Sequence, residues 1–324
     1  MALHTELTRR FGLRCPIISA PMGAVAGGRL AAAVSRAGGL GLIGPGYFGA
    51  EWIEAEFRAA EGERVGIGFI TWDLARAPDR LDVALAHRPA AVMLSFGDAE
   101  PFLPAIRRAG AVVILQVQTI EAARRAAALG ADVIVAQGTE AGGHGAQRAL
   151  FPLLPAVVDA VAPIPVVGAG GIADGRGVLA ALALGAQGVL IGTRFAAAEE
   201  ALGLDAAKAR LVGGSGDATV RTQVFDIVRD LPWPDGFTGR AIRNAFTERW
   251  HGREDALRAA QPDEQRRYAA AAQAGDLDTA LVWAGEGLDL VRDVRPAAAI
   301  IAEILRDAGD GLRGLARQFG DASV

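Results

Sequence analysis

Two turns of small residues have the composition of an anion-binding site. The segment 166–175 (VVGAGGIADG) predicts a buried strand, a glycine turn at residues 168–171 and then the start of a helix. Bare backbone N–H groups in such a turn, together with a helix N-terminus, can hold a phosphate. The segment 191–195 (IGTRF) places a second such turn after the next predicted strand. Glycines that merely permit tight turns are the simpler interpretation, but two such turns on neighbouring strands favour a phosphate clamp.

Part of the first turn also matches a dinucleotide-binding fingerprint. Gly168, Gly170 and Ala173 fit its spacing, and the segment 39–44 fits the all-glycine form. Such a fingerprint also requires an acidic residue that binds the ribose at the end of the following strand. That strand ends in Gly-Thr-Arg instead, and the segment 39–44 lies across a predicted strand rather than after one. We therefore reject the dinucleotide interpretation.

His144 is the best candidate for proton transfer. It lies in the glycine-rich segment 137–145 (QGTEAGGHG), directly after the sixth predicted strand. Imidazole can take or share a proton near neutral pH, and the surrounding glycines allow a flat ligand to approach closely. A single histidine is more often a surface or capping residue, but its place at a strand end favours a catalytic role. Glu140 could either orient His144 or be solvated, and the sequence leaves both open.

A third segment of this kind closes the first predicted strand. Residues 19–24 (SAPMGA) combine small side chains with Met22, which suits a flat ring that lies against the backbone. The alternative, that Met22 only fills the core, is equally compatible with the sequence. All three segments fall at predicted C-terminal strand ends, where the active sites of (β/α)8 barrels are built.

Eight short apolar runs recur along the first two thirds of the chain, each followed by a longer segment. The runs are apolar at consecutive positions, as in strands of a parallel sheet that is buried on both faces. The segments between them are long enough for crossover helices. The count and spacing predict a (β/α)8 TIM barrel of the α/β class, with a doubly wound open sheet as the alternative. The predicted strands are 16–20, 40–44, 65–70, 91–95, 112–117, 133–136, 165–168 and 188–192.

After residue 195 this rhythm changes. Residues 213–278 contain no clear buried strand and carry aromatic residues among many charges. We interpret this part as a mainly helical C-terminal insertion that caps the barrel mouth. The predicted domains are therefore a barrel of residues 1–212 and 280–324 and a cap of residues 213–279. The cap aromatics could form a substrate lid or a dimer surface, and the sequence does not decide between them.

The composition excludes several other classes of protein. Of the 324 residues, 51% are hydrophobic and 22% are charged, which suits a globular protein with a large core. The formal net charge of −4 gives no electrostatic reason to expect nucleic acid or an anionic membrane surface. Cys15 is the only cysteine and is interpreted as a buried apolar residue, so neither disulfides nor a metal site are expected. The N-terminus lacks the apolar core of a signal peptide, and we expect a cytoplasmic protein.

The three segments together resemble the nitronate monooxygenase family, formerly called 2-nitropropane dioxygenases. The resemblance covers nearly the whole chain, and the motifs occur in the order that the family shows. They are PIISAPM (16–22), RAGGLG (36–41), QGTEAGGH (137–144), AGGIADGRG (169–177) and GTRF (192–195). The resemblance implies an FMN-dependent TIM barrel that oxidises alkyl nitronates, or neutral nitroalkanes, with O2 to carbonyl compounds and nitrite.

The resemblance also implies roles for particular residues. His144 corresponds to the active-site histidine of the family, and the segment 283–285 is similar to the one that closes the flavin side. The implied cofactor-binding residues are Met22, Gly23, Ala24, Gly68, Gln116, Gln137, Gly142, Gly143, Ala169, Gly170, Gly171, Gly192 and Thr193. The first three would line the flavin ring, with the fourth nearby, and the last four would hold the phosphate.

Three positions depart from some relatives. Gly68 stands where those relatives carry asparagine near the flavin, Gln116 where they carry lysine, and Gln137 where they carry aspartate. These departures leave the electron donor open, so an FMN-dependent NAD(P)H reductase of quinones or enoyl thioesters is the alternative function. A third hypothesis is a barrel that binds a sugar or nucleotide phosphate without redox chemistry. The expected partners are a small-molecule substrate and O2, and the sequence leaves a homodimer open.

Overall fold

A closed barrel of eight parallel strands forms the centre of the fold. The computed structural model describes residues 3–318, and their strands are β1 (Ile17–Ser19), β2 (Leu42–Ile43), β3 (Gly66–Ile70), β4 (Ala91–Ser95), β5 (Val112–Val117), β6 (Val133–Gln137), β7 (Gly143–Gly145), β8 (Val166–Ala169), β9 (Gly188–Ile191), β10 (Thr219–Thr222) and β11 (Thr238–Ile242). Eight of them pair in the order β1-β9-β8-β6-β5-β4-β3-β2. The Ser19 N–H donates to the Leu40 carbonyl and the Leu40 N–H to the Ile17 carbonyl, each at 3.0 Å, which joins the two ends. The predicted (β/α)8 barrel is therefore confirmed, and the open-sheet alternative is wrong.

Each predicted apolar run overlaps one barrel strand, and only β6 and β8 extend beyond their runs, by one residue each. Because both faces of these strands are covered, nearly all of their residues are buried. Inward-pointing residues pack with Leu7 and Phe11, which close the amino-terminal end of the barrel. Cys15 lies at that same end, and burial raises the pKa of its thiol to about 11, as expected for a structural cysteine. The carboxyl-terminal strand ends are left to build a site.

Helices connect the strands and form the outer layer. They are α1 (Glu6–Phe11), α2 (Gly28–Arg36), α3 (Ala50–Ala59), α4 (Thr71–Leu74), α5 (Asp79–Ala86), α6 (Leu103–Arg108), α7 (Ile120–Ala128), α8 (Leu150–Val161), α9 (Gly175–Ala183), α10 (Thr193–Ala196), α11 (Asp205–Val212), α12 (Val224–Val228), α13 (Ala245–Trp250), α14 (Glu254–Ala274) and α15 (Ala297–Gln318). The last of these packs against α9 and α2. A Cβ on Gly175 would come within 2.2 Å of the Ala308 nitrogen, so this glycine permits the close contact of α9 with α15. None of the helices in the described part of the chain is long and apolar enough to cross a membrane.

Residues 213–279 are mainly helical, but they also contain two strands that the sequence analysis missed. β10 and β11 pair antiparallel, and β11 also pairs with β7, the short strand that carries His144. These strands (TVRT and TGRAI) are short and mix polar with apolar residues, so they lack the apolar run that marks the barrel strands. The division into a barrel and a cap of residues 213–279 remains a prediction. Residues 1–2 and 319–324 of the predicted barrel domain lie outside the described residues.

Candidate active site

A cavity of about 670 Å³ opens at the carboxyl-terminal ends of the barrel strands. This volume lies within the range of about 300–1,000 Å³ that is usual for small-molecule and cofactor sites. All residues that the sequence analysis assigned to the site line this one cavity. They are Met22, Gly23, Ala24, Gly68, Gln116, Gln137, Gly142, Gly143, His144, Ala169, Gly170, Gly171, Gly192 and Thr193. The sequence therefore identified residues that the fold brings together from several strands.

The glycine turn after β8 leaves its backbone open to a ligand. Gly170 and Gly171 have φ values of +115° and +67°, a region that residues with a Cβ rarely adopt. A Cβ on Gly170 would also lie 3.2 Å from the Ala141 nitrogen. Within residues 3–318, the N–H groups of Gly170, Gly171 and Gly192 donate no hydrogen bond. Such a cluster of free backbone donors fits an anion such as a phosphate.

Thr193 links this clamp to the segment that follows the cap. Its hydroxyl oxygen accepts a hydrogen bond from the Gly285 N–H at 3.0 Å, so the hydroxyl hydrogen is free to be donated to a ligand. The Glu286 N–H in turn donates to the Glu140 carbonyl at 2.9 Å. The segment 283–285 therefore lies against both glycine-rich turns and closes this side of the cavity.

The turn at Met22–Ala24 is held in an unusual conformation at the edge of the cavity. Ala24 has a φ of +60°, and a Cβ on Gly23 would lie 2.9 Å from the Gly46 Cα. Backbone strain of this kind is concentrated at functional sites. A Cβ on Gly68 would lie 2.3 Å from the Pro21 ring, so the glycine at this position is explained by packing against that proline.

An amide cluster fixes the strand that carries His144. The Gln137 side-chain oxygen accepts hydrogen bonds from the side-chain amides of Gln116 at 3.1 Å and Gln118 at 2.9 Å. The Gln137 amide nitrogen donates to the His144 carbonyl at 3.0 Å.

Glu140 does not contact His144, since its carboxylate accepts from the Leu150 N–H at the start of α8 at 2.9 and 3.0 Å. Glu140 therefore does not orient His144, and its partly exposed carboxylate caps the start of α8 instead.

His144 is buried beside a carboxylate from the cap. Its Nε2 lies 3.0 Å from Oδ1 and 2.9 Å from Oδ2 of Asp226, and the two side chains are only 8% and 5% exposed. Arg229 Nη2 donates to the same Oδ1 at 3.1 Å. Burial lowers the pKa of His144, against the opposing effect of Asp226, so the imidazole is neutral near pH 7. Asp226 was not predicted from the sequence, because nothing local distinguishes it from the other acidic residues of the cap.

Aromatic side chains enclose this histidine. Trp233 stacks on the His144 ring with 3.4 Å between centroids and an interplanar angle of 5°, and Trp283 meets the ring at 64°. The Trp233 indole N–H donates to the Tyr47 hydroxyl at 2.8 Å, which links the cap to the loop after β2. Phe237 packs edge-on against Trp233. The remaining cap aromatics pack together in a buried cluster that contains Phe225, Phe246, Trp250 and Tyr268. The aromatic residues of the cap thus form its own core and one wall of the cavity.

These features define a class of protein, a (β/α)8-barrel enzyme with a glycine clamp and a buried histidine in one cavity. A sequence model for the family described as Nitronate monooxygenase matches residues 4–64 and 69–307. The Nitronate monooxygenase of Neurospora crassa is 34% identical to the chain, over 92% of this chain and 90% of that protein. The chain therefore belongs to the nitronate monooxygenase family and is an oxidoreductase.

Solved structures agree with this assignment. FabK from Thermotoga maritima superposes with a TM-score of 0.85 at 28% identity and covers 98% of this chain and 99% of its own. A nitroalkane oxidase from Streptomyces ansochromogenes superposes with a TM-score of 0.79 at 30% identity, over 95% and 99% of the two chains. Membership of the family implies a flavin cofactor. The free backbone donors of the clamp and the small residues of the first turn fit such a group.

Proposed function

We propose that the protein is an FMN-dependent nitronate monooxygenase that converts alkyl nitronates, and also neutral nitroalkanes, with O2 to carbonyl compounds and nitrite. The observation that carries the proposal is the position of His144, a buried neutral imidazole in the same cavity as the glycine clamp. A base close to a cofactor site is what oxidation of a neutral nitroalkane needs, since its α-proton must leave before or with the electrons. Family membership supports the substrate class.

The residues of the cavity divide into two groups by their chemistry. The N–H groups of Gly170, Gly171 and Gly192, together with the Thr193 hydroxyl, would hold the phosphate of FMN. Met22 and the small residues after it would lie along the flavin ring, with Ala169, Gly142 and Gly143 close by. When bound, FMN supplies the redox chemistry, taking electrons from the substrate and passing them to O2.

His144 would act on the substrate through hydrogen bonding and proton transfer. It would accept the α-proton of a neutral nitroalkane, or donate a hydrogen bond to a nitronate once protonated. Gln137 and Trp233 hold its main chain and its ring face, so the imidazole has little freedom to turn. A preorganised base of this kind typically contributes about 10²–10⁴ in rate.

Anaerobic reduction tests the proposal and separates it from its alternatives. The purified protein should show a flavin spectrum that an alkyl nitronate bleaches without oxygen, and the extracted cofactor should be FMN by mass. Bleaching by NAD(P)H and not by nitronate would contradict the proposal and support the reductase of quinones or enoyl thioesters. A colourless protein that gains no thermal stability with FMN would support a non-redox barrel.

A further inference from the structure

The contact between His144 and Asp226 determines which nitrogen of the imidazole is free. Both carboxylate oxygens of Asp226 lie within 3.0 Å of Nε2. An ionised carboxylate only accepts hydrogen bonds, so the nitrogen that faces it must carry the hydrogen. Nδ1 makes no hydrogen bond to any residue in the range 3–318, and the ring lines the cavity. The neutral imidazole therefore presents a bare Nδ1.

We propose that Asp226 is a positioning residue that holds His144 in the Nε2–H form, so that Nδ1 is the atom that takes the substrate α-proton. The proposal rests on the proposed function and assigns the roles within that same site. In this step the α-C–H bond breaks, an N–H bond forms at Nδ1, and the C–H electron pair moves into the nitro group to give the nitronate. The imidazolium then carries hydrogens on both nitrogens, and Asp226 stabilises its charge.

The surroundings of the pair favour this function over a simple structural ion pair. Asp226 comes from α12 of the cap, whereas His144 comes from the loop after β6, so the contact joins two parts of the chain at the cavity. Arg229 donates to Asp226 from the side and balances its charge, and Arg221 of β10 is the other cation that acts on the imidazole. Trp233 covers one ring face and holds the plane of the ring, and the contact with Asp226 selects Nε2 as the nitrogen that faces the carboxylate.

The test compares two aspartates of the same segment. Asp226→Asn removes the charge at the histidine, and Asp230→Asn removes an exposed charge four residues further on. We expect Asp226→Asn to lower kcat/KM for a neutral nitroalkane about 100-fold, with the value for the preformed nitronate changed less than about 3-fold, because no α-proton is removed from it. Asp230→Asn should leave both values unchanged. An equal loss for both substrates, or no loss, would overturn the proposal.

Two further measurements separate an effect on His144 from the effect of an unbalanced Arg229 and from a general loss of turnover. The double variant Asp226→Asn/Arg229→Gln removes the cation that Asp226 balances, and it should retain the selective loss if the loss comes from the histidine. 15N NMR of histidine-labelled protein reads the tautomer without turnover, and the chain has only four histidines, so His144→Asn assigns the signal. A protonated Nε2 and a bare Nδ1 in the wild type are expected. The opposite tautomer would refute the assignment even if the protein oxidised no nitronate at all.

A second, independent observation concerns Lys208, the only lysine in the chain. It lies on α11, is 7% exposed and lines the cavity. Its Nζ donates to the Glu199 carbonyl at 3.1 Å and forms no ion pair with a described residue. An ammonium group has three hydrogens to donate, and a buried cation is normally paired with an anion. The neighbouring positions on this helix face, Leu204, Ala207 and Leu211, are apolar and also line the cavity.

We infer that Lys208 forms an anion-binding subsite for a ligand that has an apolar body and a negatively charged group. The anion could be the phosphate of the cofactor or the charged group of the substrate. Dissociation constants of FMN and riboflavin for the apoprotein test the first source. The KM of a nitronate against that of the neutral nitroalkane tests the second. The comparison of FMN with riboflavin measures binding alone and therefore needs no turnover.

Lys208→Met retains the length of the side chain and removes the charge. We expect this variant to weaken the binding of one charged ligand, either FMN or the nitronate, about 10- to 100-fold. The binding of its uncharged counterpart, riboflavin or the neutral nitroalkane, should change less than about 2-fold. Lys208→Arg should retain most of the binding, and Arg210→Met, on the same helix but away from the cavity, should change neither pair. Equal effects on the charged and uncharged members of both pairs would refute the subsite.

Discussion

The two ends of the cavity are built from different kinds of atoms. The clamp end uses main-chain N–H groups of Gly170, Gly171 and Gly192, and these are oriented by the turns that leave β8 and β9. The histidine end uses side chains, with His144 from a barrel loop and Asp226 from the cap. The clamp therefore depends on the absence of Cβ atoms in one short stretch, whereas the histidine end depends on how distant segments pack together.

This difference predicts how each end responds to substitution. A main-chain site loses affinity when its backbone is displaced, but side-chain changes nearby have little direct effect on its donors. A side-chain site loses its function when one group is removed, although the ligand can still bind through the other end. The cofactor and the proton transfer should therefore be separable by mutation.

His144→Asn should have the largest effect. The asparagine cannot accept a proton, so turnover of neutral nitroalkanes should fall about 10²–10⁴-fold, while FMN binding at the clamp end should stay the same. Steady-state rates and the visible spectrum of the purified variant measure the two effects. An unchanged rate would remove the catalytic role of His144, and loss of the flavin would show that the two ends are coupled.

Gly171→Ala should weaken the cofactor end alone. At a φ of +67° an alanine costs about 1–2 kcal/mol, and its Cβ would lie 3.3 Å from the Glu140 Cβ. Gly110→Ala is the matched control, because Gly110 has a φ of +74° with no atom near the added Cβ. Both variants should lower the thermal midpoint, but only Gly171→Ala should weaken FMN binding, by roughly tenfold if about 1.4 kcal/mol of that strain falls on the bound state. Equal FMN affinities in the two variants would contradict the clamp.

The same contrast explains what the sequence could predict. The barrel strands and the clamp are local patterns, since apolar runs and glycines such as Gly170 and Gly171 carry their signal in a few adjacent residues. Asp226 reaches His144 from 82 positions away, and its role depends on the fold of the cap. The strands β10 and β11 were missed for a related reason, because they are stabilised by pairing with each other and with β7 rather than by a buried apolar run.

The acid sensitivity of the fold should depend on the histidine end. Burial lowers the pKa of His144 below its ordinary value of 6.5, so the unfolded chain binds this proton more readily than the folded chain. The free energy of unfolding should therefore fall as the pH drops below 6.5, by at most about 1.4 kcal/mol per pH unit, until the lowered pKa is reached. Denaturant unfolding between pH 7.5 and 5 measures this slope. His144→Asn lacks the titrating group, and a slope identical to that of the wild type would assign the effect to other residues.

The smallest effect is expected at Thr193, where a side chain supports the main-chain end. Thr193→Val keeps the shape but leaves the Gly285 N–H without its acceptor at 3.0 Å and removes one donor from the clamp. A lost hydrogen bond of this kind costs about 1 kcal/mol, or roughly fivefold in FMN affinity. Thr193→Ser keeps the hydroxyl and should bind FMN as the wild type does. If valine and serine gave the same affinity, the clamp would rest on its glycine N–H groups alone, and the difference between the two ends of the cavity would be even sharper.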